Sequence, residues 1–235
     1  MELPVIQNTE VTKTIELGDK LFVIRPWKTK DEKNFMIKQT LLSKKKQENE
    51  KELEKLLIEE LIKPCIIEGN IEELDYSGMR KIIVELRCIS IGDDINDVSI
   101  ECISCGKNNS FNISLNEEGV ISYKQFNTKI YKLNEKISVR FKTIPYTKIK
   151  DDTEEYDYLY LGIDEIIYEG TSYKDFTKES FENFLDNMDI KTSKKLAESL
   201  IEASSSLEIK KSVKCLHCQE ENEVDLGNMV NFYLP

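Results

Sequence analysis

Ser99-Ile100-Glu101-Cys102-Ile103-Ser104-Cys105-Gly106-Lys107-Asn108-Asn109-Ser110-Phe111-Asn112-Ile113 and Ser212-Val213-Lys214-Cys215-Leu216-His217-Cys218-Gln219-Glu220-Glu221-Asn222-Glu223-Val224-Asp225-Leu226 are two copies of one pattern. Ser, Cys, Cys and Asn recur at matching places. An apolar residue precedes the first cysteine by two, and another follows the second by six. Each copy reads as strand, CxxC turn, strand. Two cysteines three apart on a tight turn can aim both sulfurs at one ion. Two such turns supply four thiolates, which close a tetrahedral shell around zinc and leave no open position. The pattern therefore predicts one structural zinc held by Cys102, Cys105, Cys215 and Cys218 in a zinc ribbon.

The cysteine pairs are separated by far more chain than the ~15–20 residues usual in such motifs. A bipartite ribbon follows, assembled from 98–115 and 211–227, with 116–210 as a β then α insertion within a single domain spanning 1–235. Loss of any one ligand is expected to unfold at least the ribbon. A redox CxxC is usually single and sits at a helix N-terminus. His217 is the only histidine and lies between Cys215 and Cys218. A turn that aims both sulfurs at a metal points this middle side chain away, so His217 reads as a bystander.

Composition narrows the function. The chain has 235 residues, 40% hydrophobic and 33% charged, enough to fold around a core. Its net charge of −11 disfavours a surface built for nucleic acid. Apolar runs fall short of the ~20 residues that span a bilayer. Met1-Glu2-Leu3-Pro4 lacks the pattern of a signal peptide. Cys65 and Cys88 lie in apolar surroundings and read as buried free thiols, consistent with a reducing compartment. Two disulfides fit poorly with that setting. With one histidine, no Ser-His or Cys-His arrangement stands out. The nine glycines form no phosphate-cradling loop, and a full cysteine shell leaves no place for a catalytic water. The expectation is a protein that is not an enzyme.

The rest of the chain reads as α+β: small antiparallel β-sheets, the bipartite four-cysteine zinc ribbon and two helical regions. Ile15, Leu17 and Leu21 to Ile24 around Gly18-Asp19-Lys20 predict a β-hairpin ending at Arg25-Pro26-Trp27. Thr29-Lys30-Asp31-Glu32 has capping-box spacing, with Thr29 as N-cap and Glu32 three residues on. Phe35, Met36, Leu41 and Leu42 then supply an apolar stripe. A charged helix, or two with a break near Ser43-Lys44-Lys45-Lys46, runs to Pro64. Asp75 should cap a helix presenting Met79, Ile82, Ile83, Leu86 and Ile89. Strands resume near Val98. The stretch from Val120 to Ile149 is strand-rich, with Ile137, Val139 and Phe141 alternating and closure at Pro145. Asp151 to Gly170 mixes Asp151, Asp152, Glu154, Glu155 and Asp157 with Tyr156, Tyr158 and Tyr160. It lacks calcium-loop spacing and reads as a solvated acidic segment beside packing residues. Two helices follow. Thr177 caps one bearing Phe181, Phe184, Leu185 and Met188; the other runs from about Thr192 to Ser206 with Leu196, Leu200 and Ile201.

Several pieces in this order carry a family resemblance: the early hairpin leading into Arg25-Pro26-Trp27-Lys28-Thr29-Lys30-Asp31-Glu32-Lys33; Leu74-Asp75-Tyr76; Leu86-Arg87-Cys88-Ile89-Ser90-Ile91-Gly92; the two CxxC turns; and Asn231-Phe232-Tyr233. Over most of its length the chain resembles the baseplate hub and hub-assembly proteins of T-even-type contractile-tailed bacteriophages. It departs from them in an expanded charged helix and acidic segment, and in Gln219 where the first copy has Gly106. The resemblance implies a non-enzymatic subunit or assembly factor of the baseplate central hub, with phage tail proteins as partners. It implies assembly in the bacterial host cytoplasm and a possible place in the virion. Arg25, Trp27 and Glu32 could then serve at an interface, although Trp27 as core and Arg25 paired with an acid is the simpler expectation. The alternative function is a zinc-ribbon transcription or nucleic-acid-binding factor. Few basic residues serve it: Lys107 in one copy, and Lys210, Lys211 and Lys214 at the other.

Overall fold

The computed structural model describes residues 11–44, 50–149 and 153–227. Met1-Glu2-Leu3-Pro4, Lys45 and Lys46 of the helix break, Asp151 and Asp152 of the acidic segment, and the closing Asn231-Phe232-Tyr233 lie outside them. The architecture is α+β, with small antiparallel sheets and six α-helices among the described residues. The chain divides into two compact units. The first takes the chain up to Ile71, Arg80–Ser122 and Leu207 onward; the second takes Glu72–Met79 and Tyr123–Ser206.

The first unit opens with the expected hairpin, β1 (Lys13–Leu17) and β2 (Lys20–Ile24). Leu17 pairs with Lys20 across a two-residue turn whose first residue, Gly18, has φ +69°. Hairpin turns that match strand twist need a positive φ there. Strand alternation buries Ile15, Leu17, Phe22 and Ile24.

Helix α1 (Thr29–Lys44) starts with a capping arrangement one residue earlier than the Thr29–Glu32 expectation. Lys28 N–H donates to Asp31 Oδ2 at 2.9 Å, so Asp31 is the acid that reaches back. Its buried position explains the shift, because Asp31 also receives Arg25 Nη1 at 2.8 Å. Arg25 further donates to Pro26 O at 2.8 Å and, through Nη2, to Pro64 O at 2.7 Å. One guanidinium thus ties the end of β2, the start of α1 and the turn at Pro64. Trp27 is half-buried, with its backbone N–H donating to Ser90 Oγ at 2.9 Å. The expected stripe on α1 is corrected. Asp31 and Phe35 are buried and Gln39 and Leu42 half-buried, whereas Met36 and Leu41 are exposed. The inward face follows 31, 35, 39, 42, the 3.6-residue period, and Met36 and Leu41 fall outside it.

Among the described residues α1 runs to Lys44 and helix is found again from Glu50. After α2 (Glu50–Leu57) the chain makes a π-helical turn, Ile58–Ile62, and a 3-10 turn, Lys63–Cys65, that carries Pro64. Strand β3 (Ile66–Glu68) then adds to β2. Asp75 Oδ1 accepts the Gly78 N–H at 2.7 Å and caps α3 (Tyr76–Ile91), which buries Met79, Ile82, Ile83 and Leu86, with Ile89 half-buried. Burial pushes the thiols of Cys65 and Cys88 up to about 12, so both stay protonated and inert. Cys65 is fully buried and Cys88 half-buried.

Strands β4 (Asp94–Glu101) and β5 (Asn108–Ser114) form the next hairpin, and β6 (Ile121–Lys124) leads into the second unit. There β7 (Ile130–Lys132), β8 (Ile137–Phe141), α4 (Glu155–Gly162), β9 (Ile163–Tyr168), β10 (Thr171–Tyr173), α5 (Lys178–Asp186) and α6 (Ile190–Ala203) follow in order. The sheet order is β10-β9-β8-β7. Ile137, Val139 and Phe141 point inward as their alternation predicts, and pack with Ile163, Ile166, Phe181, Leu185 and Leu196. The acidic segment carries α4 and β9, which bury Leu159, Ile163 and Ile166. Thr177 caps α5 by accepting the Ser180 N–H at 3.2 Å. Helix α6 is capped by Asp189, which accepts from Thr192 N–H at 2.9 Å and Oγ1 at 2.7 Å. It ends at Ala203 because the chain turns extended at Ser204, and Ile201 is exposed.

Strands β11 (Ser206–Lys214) and β12 (Glu221–Asp225) return the chain to the first unit. The β4/β5 and β11/β12 hairpins close on the same turn. Cys102 N–H donates to Lys107 O at 3.0 Å and Gly106 N–H to Cys102 O at 2.9 Å; Cys215 N–H donates to Glu220 O at 2.8 Å and Gln219 N–H to Cys215 O at 3.0 Å. The residue after the second cysteine is left-handed in both, Gly106 at φ +67° and Gln219 at φ +64°. Glycine adopts this conformation freely, whereas a residue with a Cβ is strained there by about 1–2 kcal/mol.

Two outcomes are expected. Asp31→Ala should destabilise the protein by about 3 kcal/mol in chemical denaturation, because it strands the Arg25 charge in a nearly buried site. Burial raises the Asp31 pKa, but Arg25 and the Lys28 N–H outweigh it and hold the carboxyl below its ordinary value. A lowered folded-state pKa gives stability that is complete above the ordinary carboxylate range and lost as pH falls through the lowered value. The gap between wild type and Asp31→Ala should therefore shrink below about pH 4. Gln219→Gly should stabilise the protein by about 1 kcal/mol through relief of the left-handed strain.

Candidate metal centre

The four cysteines of the repeat meet at one place in the first unit. Their sulfurs all lie within 4.8 Å of one another. Cys102 Sγ is 3.6 Å from Cys218 Sγ, and Cys105 Sγ is 3.7 Å from Cys215 Sγ, two approaches that cross from one hairpin to the other. These distances far exceed the ~2.05 Å of a disulfide. The first cysteine of each turn, Cys102 or Cys215, is buried, and the second, Cys105 or Cys218, is exposed. His217 is exposed and outside the cluster.

The local backbone produces this arrangement. Each turn curls back on its first cysteine, so that successive N–H groups face the sulfur. The Cys105 N–H, with that of Ser104, lowers the pKa of Cys102 against the opposing effect of burial. The Cys218 N–H does the same for Cys215, helped by His217 N–H at 3.4 Å, and brings it to about 6. At Cys218 the Glu220 N–H favours the thiolate, but local desolvation of the sulfur, in a residue otherwise exposed, and the three neighbouring sulfurs outweigh it and push the thiol up to about 12. The cluster thus favours thiolates at its two buried sulfurs but resists ionising all four, since like charges this close repel. A cation among the sulfurs removes that conflict, and this set could hold a metal ion.

Two residues beside the sulfurs have a part that their recurrence hints at but does not disclose. Asn109 and Asn222, at matching places in the two copies, are both buried and hydrogen-bonded to the opposite turn. The lysines weighed for nucleic acid include two that are already paired. Lys210 lies 3.4 Å from Glu208 and 3.5 Å from Glu223, and Lys211 pairs with Glu117.

No helix among the described residues is long and apolar enough to cross a membrane. Comparison with curated proteins and with solved structures gives no match. Comparison with protein families gives one over nearly the whole chain, residues 7–234, to the family described as T4 bacteriophage base plate protein. That span takes in the Arg25-Pro26-Trp27 element, both CxxC turns and the residues between them. With a match of this extent, the chain belongs to the T4 bacteriophage base plate protein family.

Proposed function

We propose that this protein is a non-enzymatic subunit or assembly factor of the central hub of the phage baseplate, built around one structural zinc. The family match over 7–234 supports the baseplate role. The resemblance of the Arg25-Pro26-Trp27, Leu86-to-Gly92 and CxxC elements to hub proteins supports the finer place within it. Its partners are then other hub and tail proteins, met in the host cytoplasm during assembly. Four cysteines that close a coordination shell leave no position for a reacting water, which favours a structural over a catalytic metal.

The observation that carries the zinc reading is the sulfur geometry. A tetrahedral ion with ligands at about 2.3 Å sets sulfurs about 3.8 Å apart. The distances here are 3.6 and 3.7 Å across the two hairpins. All four donors are soft cysteine sulfurs, the set that suits zinc among common ions once a cation draws off their protons. On this reading residues 98–115 and 211–227 are the halves of a ribbon and 116–210 its insertion.

Elemental analysis of protein purified without added metal should find about one zinc per chain. Cys215→Ser should lose it together with cooperative unfolding, since such sites contribute on the order of 10–16 kcal/mol. A stably folded wild type free of metal would overturn the zinc reading. For the hub, infection by phage lacking the gene should yield no complete baseplates in electron micrographs, and fully assembled baseplates would refute the role.

A further inference from the structure

Four-sulfur chemistry does not require the two buried amides that hold the CxxC turns to each other. Asn109 and Asn222 are each 4% exposed. Asn109 Oδ1 accepts the Leu216 N–H at 2.9 Å, and Asn222 Oδ1 accepts the Ile103 N–H at 3.0 Å. Leu216 and Ile103 are the residues that directly follow the first cysteine of the opposite turn. The other end of each amide faces home. Asn109 Nδ2 donates to Lys107 O, and Asn222 Nδ2 to Glu220 O, both at 2.9 Å. The amides also touch the sulfurs. Asn222 Nδ2 is 3.7 Å from Cys102 Sγ, and Asn109 Oδ1 is 3.5 Å from Cys215 Sγ.

We propose that Asn109 and Asn222 are the positioning residues of the metal centre, each fixing the CxxC turn of the opposite hairpin. The proposal rests on the metal reading for its consequence, while the hydrogen bonds belong to the turns themselves. The chemistry selects asparagine. The side chain must accept an N–H from one turn and donate to a carbonyl of the other, from a short stem. Aspartate keeps the acceptor and loses the donor. Serine lacks the span. The control is crossed. Removing the amide from the first copy frees the cysteine pair of the second, and the reverse.

The test is residue-resolved amide hydrogen exchange of the full chain by NMR, together with zinc loss to a chelator. Asn109→Ala should speed exchange at Leu216 about tenfold and leave Ile103 unchanged, and Asn222→Ala should do the mirror image. Both should release zinc about tenfold faster. Asn109→Asp, which retains the acceptor, should keep Leu216 protected; it also serves if the alanine variant fails to fold. The proposal is overturned if each substitution loosens only its own turn, loosens both turns alike, or loosens neither. Wild type that binds zinc but shows no crossed pattern sinks the latch and leaves the metal reading standing. A crossed pattern in a wild type without zinc upholds the latch and removes the metal.

Discussion

Four thiols within 4.8 Å of one another have little attraction of their own, yet the first unit brings them together from positions as far apart as 116 residues in the chain. Closing a flexible loop of that length costs about 4 kcal/mol in chain entropy. The opposing terms are local and doubled. Each turn makes two backbone bonds within itself and receives one amide from the other. Backbone N–H groups lower the pKa of Cys102 and Cys215, and the neighbouring sulfurs help hold back the ionisation of Cys218. A proposed zinc ion resolves this arrangement, because it converts crowded sulfurs from a liability into a shared attraction.

The hairpins are near-copies in geometry as well as in sequence. The strand pairs, the turn bonds, the left-handed residue and the buried asparagine all recur. The exception is Gln219, which adopts the conformation of Gly106 despite its Cβ. That conformation is set by the bonds from Cys215 and Gln219 across the turn, and it overrides the residue's own preference.

Much of this was legible in the sequence for a physical reason: short-range chemistry leaves short-range signals. The CxxC spacing, the Gly18 turn, the Asp75 and Thr177 caps and the Ile137-Val139-Phe141 alternation are all properties of a few adjacent residues. What was obscured depends on partners far along the chain. The cap of α1 moved from Glu32 to Asp31 because Arg25 claims that carboxylate. Met36 and Leu41 look like core and are exposed, because the inward face is fixed by Phe35 and its neighbours a turn away. Helix α4 and strand β9 were hidden beneath acids whose polarity reads as loop. Glu165, for one, is buried against Arg140 and Ser172. The asparagines could be seen to recur, but their crossing bonds require both turns in place at once.

The separation of the two half-sites also sets a clock. Ribosomes add roughly 5–20 residues per second. Cys215 therefore emerges on the order of 5–20 s after Cys105, 110 positions earlier. For that interval Cys102 and Cys105 lack the two sulfurs they later meet, and the residues between the two cysteine pairs have time to begin folding. Completion of the cluster reports that nearly everything between has been made, so a truncated chain carries its own mark of incompleteness.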